Sequence, residues 1–207
     1  IVCAPSKTGK SVILTNWANK ISVVDKLPIL YINTEMSDEE NEDRLISTIS
    51  GVPHSEILSG MYVKDTASGL GVDKIRLVND AVEMIESGNF HHIQLPQFTI
   101  EKVVALTKKY QKQYGIVALF FDYIKVPSNQ ADFKSAQEYQ KLGYFTSGLK
   151  DLASVLKIPV YSACQTNRNN DSSNNEPSEA DIGGSLRILQ LASKLMFLYN
   201  KSDEEIA

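Results

Sequence analysis

The sequence has 207 residues, of which 43% are hydrophobic, and a formal net charge of −4. No linker rich in Pro, Ser or Gly divides it, so we predict one α/β domain over residues 1–207. No apolar run approaches the roughly 18 residues of a membrane span, so we expect a soluble protein without membrane contact. The net charge argues against a surface that is basic throughout, although a local basic channel, or one assembled from several subunits, would not show in that sum.

The first predicted strand, IVCA, leads into a phosphate-binding loop and then into the helical pattern SVILTNWANKIS. The loop APSKTGKS fits the Walker A (P-loop) pattern GxxxxGK[ST], with Ala at the first Gly position. Its backbone N–H groups and the helix N-terminus favour a nucleoside triphosphate over a turn that only connects two elements. In this pattern Lys10 contacts the β- and γ-phosphates, and the Ser11 hydroxyl ligates Mg²⁺. The predicted nucleotide-binding residues are Ala4, Pro5, Ser6, Lys7, Thr8, Gly9, Lys10 and Ser11.

Strands and helices alternate after this loop. Residues 27–33 are predicted to form a buried strand that ends just before Glu35. Ser37 and the acidic residues after it predict the start of a helix that runs toward Gly51. Next come predicted helices over residues 53–58 and 72–86, the strand HHIQLP, and a helix capped by Thr99 that runs to residue 114.

The most apolar predicted strand, residues 116–122, ends in the carboxylate of Asp122. A helix over residues 136–157 follows, and then the strand IPVYSACQ, a helix over residues 185–194 and the strand LMFLY. The long helix is predicted to bury Tyr139, Leu142, Phe145, Leu149, Leu152 and Leu156. Cys3 and Cys164 lack metal-ligand spacing and are predicted to be core residues. The alternation predicts a mainly parallel sheet with ligands at the carboxyl ends of its strands.

Four predicted strands end in polar groups that would share one crevice: the phosphate-binding loop, Glu35, Asp122 and Gln165. Asp122 follows the apolar run ALFF, which is typical of a carboxylate that holds the Mg²⁺ shell. Glu35 is either an ordinary acid at a strand end or the base that orients water for attack on the γ-phosphate. Gln165 can donate and accept hydrogen bonds, which suits a sensor of the γ-phosphate.

Five ordered segments carry a family resemblance: APSKTGKS, INTEMS, DRLISTISGVP, ALFFDYIKV and LKDLASVLKIPVYSACQTNR. They resemble the ATPase domain of hexameric replicative helicases of the DnaB type, in the RecA-like group. The resemblance implies a RecA-like P-loop NTPase fold, with a mainly parallel sheet flanked by helices on both faces. It implies ATP and Mg²⁺ as cofactors. It also implies the catalytic residues: Glu35 would be the base, Lys10 and Arg44 would contact phosphates, Gln165 would sense phosphate and Asp122 would hold the metal.

The same resemblance implies a homo-oligomeric, hexameric ring around single-stranded DNA. The loops that touch DNA would be residues 125–135 and 166–180. The candidate DNA-binding residues in them are Lys125, Asn129, Lys134, Asn167 and Arg168. A primase or a loader would bind through regions outside this chain, and the expected location is the cytoplasm of a bacterial or phage-infected cell.

The sequence departs from the family pattern in three places. SLRILQLASK stands where the family has an acidic stretch resembling SxxIEQDAD. The Lys-x-Arg pair that the family inserts into the neighbouring subunit has no counterpart before Ala207, so either the chain is truncated or this arginine finger lies elsewhere. The helical N-terminal domain of the family has no counterpart in this sequence either. We therefore expect the motor domain of a diverged relative that a phage could encode, truncated at both ends.

Three functions are compatible with an ATPase of this kind. The favoured one is a helicase motor that translocates on single-stranded DNA and unwinds duplex DNA. The second is a RecA-like recombination or regulatory ATPase that binds nucleic acid without unwinding it. A small-molecule kinase is disfavoured, because the sequence has no Arg-rich lid and Glu35 at the end of the second strand is unexpected there.

Overall fold

A computed structural model describes residues 1–67, 73–128, 137–166 and 186–199. Its strands are β1 (Val2–Ala4), β2 (Ile29–Asn33), β3 (Phe90–Gln94), β4 (Ala118–Ile124), β5 (Val160–Gln165) and β6 (Met196–Phe197). They form one six-stranded sheet in the order β3-β2-β4-β5-β1-β6, and every adjacent pair is parallel. The predicted parallel α/β architecture is confirmed.

Helices fill the connections between the strands. Within the described residues they are α1 (Lys10–Asn19), α2 (Asp38–Ser50), α3 (His54–Ser59), α4 (Met61–Ala67), α5 (Lys74–Glu86), α6 (Ile100–Tyr114), α7 (Glu138–Leu156) and α8 (Leu186–Leu191). A π-helical turn, Lys20–Val24, extends α1. None of the helices described combines the length and the apolar composition that crossing a membrane requires.

The central strands are buried on both faces. Because successive side chains of a strand point to opposite faces, Leu30 and Ile32 of β2 pack with α6 and α7, whereas Ile29 and Tyr31 pack with α1. The same alternation divides Leu119 and Phe121 from Ala118 and Phe120 in β4. Two apolar layers therefore flank the sheet, as predicted, and leave the carboxyl ends of the strands for polar groups.

The predicted helix starts at Ser37 and Thr99 are confirmed. Ser37 Oγ accepts a hydrogen bond from the Glu40 N–H at 3.1 Å, and Thr99 Oγ1 accepts one from the Lys102 N–H at 3.4 Å. Each hydroxyl satisfies a backbone donor that the first helical turn leaves unpaired. These caps set the entry of α2 and α6 from the sheet.

The prediction that Tyr139 lies on the buried face of α7 is wrong, because 49% of its surface is exposed. The first turn of α7 is exposed throughout, and burial begins only at Leu142. Two further features were not predicted: the π-helical turn after α1, and α4, which starts directly after Gly60 ends α3 with φ 68°. Helical periodicity alone cannot register such a local change of helix type or a restart within one turn.

β4 continues past Asp122 to Ile124 instead of ending at that carboxylate. The register with β5 shifts between Phe121 and Ile124, so the pairing is irregular where Asp122 lies. Cys3 and Cys164 are both buried and directly paired in register, with their sulfur atoms 3.1 Å apart. The prediction that both are core residues is confirmed.

Candidate nucleotide-binding and hydrolysis site

The phosphate-binding loop joins the buried end of β1 to the first residue of α1. Gly9, directly before α1, has φ 96°, a left-handed conformation that glycine adopts without a steric penalty. The Thr8 hydroxyl donates a hydrogen bond to the Pro5 carbonyl at 3.1 Å and closes the loop on itself. The turn therefore brings the N-terminus of α1, with its unpaired N–H groups, to the carboxyl edge of the sheet.

Lys10 is the first residue of α1, and its side chain is folded into the loop. Only 8% of its surface is exposed, and its Nζ donates to the carbonyls of Ala4 at 3.0 Å and Pro5 at 2.5 Å. Burial lowers the pKa of Lys10, while the nearby charges of Asp122 and Glu35 act in the opposite direction. The loop therefore holds a cation at its centre, where it can contact phosphate oxygens.

Asp122 lies on β4 beside this cation and is 3% exposed. The Tyr31 hydroxyl donates a hydrogen bond to Asp122 Oδ2 at 2.9 Å. Burial raises the pKa of Asp122, whereas the approach of the Ser11 hydroxyl, the Tyr31 hydrogen bond and the charge of Lys10 act to lower it. The other carboxylate oxygen, Oδ1, is buried and has no partner with hydrogen-bond geometry among the described residues.

This unpaired carboxylate oxygen fits a divalent cation. A buried acceptor without a donor is unfavourable, and a hard cation such as Mg²⁺ would satisfy it. Mg²⁺ usually takes one or two protein oxygens and completes its shell with water and substrate phosphates. Asp122 and the nearby Ser11 hydroxyl provide such a pair of oxygens at the mouth of the loop.

Glu35 lies in a turn that is fixed by the two residues before it. Asn33 Oδ1 accepts hydrogen bonds from the N–H groups of Glu35 at 2.9 Å and Met36 at 3.2 Å. The Thr34 N–H and hydroxyl both donate to the Asp122 carbonyl at 3.1 Å. Because Thr34 donates both bonds to Asp122, the backbone that carries Glu35 is fixed to the strand that carries Asp122. Asn33 and Thr34 are also buried, which shields these bonds from water.

The Glu35 side chain itself is half-exposed and receives two donors on one oxygen. The Tyr123 hydroxyl lies 2.9 Å and Lys125 Nζ lies 3.5 Å from Glu35 Oε1. Lys125 Nζ also donates to the Thr34 carbonyl at 3.1 Å. Burial, followed by the hydrogen bond to Glu35, raises the pKa of Tyr123 to about 12, so its hydroxyl stays a donor at neutral pH.

Gln165 and Arg44 lie at the borders of this site. Gln165, the last residue of β5, pairs in register with Ala4, and the next N–H donates to the Ala4 carbonyl at 3.1 Å. Arg44 lies on α2 and forms an ion pair with Glu40, one turn earlier, at 2.8 Å. Its charge acts to lower the pKa of Tyr31 against the dominant effect of burial.

Comparison with known families identifies the group to which the chain belongs. The sequence profile described as the DnaB-like helicase C-terminal domain matches residues 1–206. The chain belongs to this family. The resemblance drawn from the five sequence segments is therefore confirmed.

Several relatives of this DnaB-like domain are replicative helicases. The replicative DNA helicase DnaB of Treponema pallidum is 28% identical over 204 residues, which cover 99% of this chain and 44% of that protein. The DnaB protein of Leifsonia xyli is 25% identical over 206 residues, which cover 99% and 43%. A probable plasmid replicative DNA helicase of Chlamydia trachomatis is 21% identical over 202 residues, which cover 97% and 42%. The chain thus spans less than half the length of these relatives.

Two solved structures share the fold of this DnaB-like domain. One is an isolated ATPase domain, with a TM-score of 0.84 at 18% identity, covering 99% of this chain and 70% of that chain. The other, a DnaB-like replicative helicase studied for its interactions with primase, has a TM-score of 0.84 at 17% identity, covering 100% and 48%. The predicted RecA-like fold is confirmed.

The DnaB-like domain brings together most of the residues predicted for its nucleotide site. At the carboxyl edge of the sheet, the charges of Asp122 and Glu35 affect the pKa of Lys10. The Ser11 hydroxyl and the charges of Glu35 and Lys10 affect the pKa of Asp122. Lys125, predicted to bind DNA, contacts Glu35. The other candidate DNA contacts, Asn129, Lys134, Asn167 and Arg168, lie outside the described residues.

Sequence reasoning missed the residues that support this site, namely Tyr31, Asn33, Thr34 and Tyr123. Each acts through a side chain that meets a partner on another strand or in an adjacent turn. Tyr31 and Asp122 are 91 positions apart, and only the pairing of β2 with β4 brings them together. The sequence signal that could have indicated these residues is the presence of polar residues in or next to apolar strands, because buried polar groups require hydrogen-bond partners.

Proposed function

We propose that this chain is the ATP-hydrolysing motor domain of a replicative DNA helicase. The observation that carries the proposal is the convergence of Lys10, Asp122 and Glu35 at the carboxyl edge of one parallel sheet. A phosphate-binding cation, a metal-binding carboxylate and a second carboxylate are the groups that ATP hydrolysis requires. Membership of the DnaB-like family and the replicative helicases among its relatives support the same function.

In this proposal the phosphate-binding loop holds ATP. Lys10 leaves its carbonyl partners and binds the β- and γ-phosphates, while Arg44 offsets negative charge from α2. Ser11 and Asp122 would hold Mg²⁺, which would supply positive charge beside the phosphate oxygens.

Glu35 acts as the general base in this proposal. Its carboxylate accepts a hydrogen bond from the attacking water and takes up a proton as the water attacks the γ-phosphate. Gln165 senses the γ-phosphate, because β5 ends beside the start of the loop. The segment that follows Gln165 then transmits the nucleotide state to the DNA-binding loops.

In the whole protein, we place DNA in the channel of a homo-hexameric ring. Six copies would share the contacts to one strand, so each needs few basic residues. The proposed contacts are Lys125, Asn129, Lys134, Asn167 and Arg168. A primase or loader would bind through other regions of the protein, and the complex would act in the cytoplasm of a bacterial or phage-infected cell.

Two substitutions separate ATP binding from hydrolysis. Glu35→Gln keeps the size of the side chain but removes its basicity, so ATP should still bind while hydrolysis slows at least ~100-fold. Lys10→Ala removes the buried cation and should abolish tight nucleotide binding. Single-turnover hydrolysis and equilibrium binding of labelled ATP measure the two effects.

A matched control is Glu39→Gln, the same chemical change at an exposed position of α2. It should leave both measurements unchanged. Hydrolysis near the normal rate in Glu35→Gln would remove Glu35 from the role of base. Retained ATP affinity in Lys10→Ala would contradict the assignment of the loop.

A further inference from the structure

Two side chains at the end of β4, those of Tyr123 and Lys125, contact Glu35. Tyr123 lies on β4, and Lys125 follows its last residue, Ile124. Residues two positions apart in extended chain share a side, and Ile124 between them is buried in the apolar core. This part of the chain is thus built to present a phenol and an ammonium group together.

Both groups contact the same carboxylate oxygen. Glu35 Oε1 is 2.9 Å from the Tyr123 hydroxyl and 3.5 Å from Lys125 Nζ. Lys125 Nζ also lies 5.9 Å from the centre of the Tyr123 ring, within the range of a cation–π interaction. Tyr123 and Lys125 therefore contact each other as well as Glu35.

Lys125 also holds the backbone of the turn. Its Nζ donates to the Thr34 carbonyl at 3.1 Å, directly before Glu35. A glutamate that is 54% exposed would otherwise sample several rotamers, and a misplaced base slows a reaction even when it is present. The contacts restrict both the side chain and the main chain of Glu35.

We propose that Tyr123 and Lys125 are positioning residues for the general base Glu35. They hold Oε1 and leave Oε2 as the oxygen that accepts the proton of the attacking water. This inference rests on the proposed role of Glu35. It assigns Lys125 to this task instead of the DNA contact proposed for it above, because its Nζ contacts Glu35 and the Thr34 carbonyl.

A positioning role and a DNA-binding role for Lys125 predict different effects of the same substitution on kcat and on DNA affinity. In a positioning role, Lys125→Met lowers kcat for ATP hydrolysis about 10-fold without DNA, while KM and the affinity for single-stranded DNA stay within about twofold. In a DNA-binding role, the same substitution weakens DNA binding and reduces its salt dependence, while kcat without DNA is unchanged.

Tyr123→Phe provides a second and more conservative variant. It removes only the hydroxyl and keeps the ring in place beside Lys125, so folding should be preserved. We expect kcat to fall about 10-fold at unchanged KM. Lys125→Arg keeps a cationic donor and should recover most of the activity that Lys125→Met loses.

A double-mutant cycle in the full-length protein gives the deciding experiment. If Tyr123 acts through Glu35, adding Tyr123→Phe to Glu35→Gln should change single-turnover hydrolysis by less than about twofold. A further loss of about 10-fold in the double variant would overturn the inference, as would full activity of both Tyr123→Phe and Lys125→Met. Normal hydrolysis by Glu35→Gln alone would instead contradict the proposed function, so the two failures are distinguishable.

Discussion

In its proposed role as a metal ligand, Asp122 must carry a charge although it is only 3% exposed. Burial raises the pKa of Asp122. Within the described residues, the Tyr31 hydroxyl donates a direct hydrogen bond to the Asp122 carboxylate. Burial also keeps Tyr31 neutral by raising the pKa of its phenol. Tyr31 therefore acts as a fixed donor that favours the ionised carboxylate and leaves Oδ1 open.

Tyr31→Phe should affect both folding and metal use. The change removes the donor to Asp122 and leaves a buried carboxylate less satisfied, so we expect a loss of about 1–3 kcal/mol in the free energy of unfolding. Hydrolysis should also require more Mg²⁺, because the carboxylate is no longer held in place. Chemical denaturation and a Mg²⁺ titration of ATP hydrolysis measure the two effects.

Tyr161→Phe is the matched control for Tyr31→Phe. Both tyrosines stack on Phe120, with ring centres 5.9 Å and 4.8 Å away respectively. The Tyr161 hydroxyl, however, has no hydrogen bond within the described part of the chain. If both variants behave alike in the two assays, Tyr31 has no special effect on Asp122.

The sequence could predict candidate site residues whose type phosphate chemistry would dictate. Lys10 and Ser11 belong to one contiguous motif, and Asp122 follows an apolar run. Tyr31 and Asn33 could not be assigned in this way, because their roles depend on strand pairing and on a turn. Tyrosine and asparagine are compatible with many other environments, so neither residue alone indicates its partner.

At the scale of elements, α7 approaches α6 closely because it carries a glycine at the contact. A Cβ atom on Gly148 would lie 2.3 Å from Ile100 Cγ1 and 2.8 Å from Ile100 Cδ1. Ile100 is the first residue of α6 and is buried in the layer that covers the sheet. The helix pair therefore has little room for an added methyl group.

Gly148→Ala should destabilise the fold. Overpacking against Ile100 should lower the free energy of unfolding by about 1–3 kcal/mol, despite the better helix propensity of alanine. Gly143→Ala on the same helix is the control, because its Cβ would meet mainly the Arg187 side chain at 3.0 Å, which can move. Equal stability of the two variants in urea denaturation would contradict the proposed close contact.

Sequence patterns were informative for elements with strong local signals. The caps at Ser37 and Thr99 and the apolar β4 run follow from local chemistry. The exposure of Tyr139 does not, because helical periodicity gives a face but not the length over which that face is covered. The order of strands in the sheet is also not given by local patterns, because strands distant in sequence become neighbours, as β1 and β5 do.

At the scale of the whole molecule, the proposed hydrolysis site lies at the carboxyl edge of the sheet, where 54% of the Glu35 side chain is exposed. Among its described cations, Lys10 and Lys125 bind carbonyl or carboxylate groups and Arg44 pairs with Glu40. We expect a neighbouring subunit to supply further positive charge to bound ATP, so hydrolysis should increase on assembly. The net charge of −4 argues against a surface that is basic throughout, and a DNA path shared by several copies needs few basic residues in each.

The most direct test of the helicase proposal is strand separation on a forked DNA duplex by the full-length protein. The account predicts separation with ATP and Mg²⁺, and none with a non-hydrolysable ATP analogue or in the Glu35→Gln variant. Sustained ATP hydrolysis without any strand separation would contradict it. That result would favour the RecA-like alternative, an ATPase that binds nucleic acid without unwinding it.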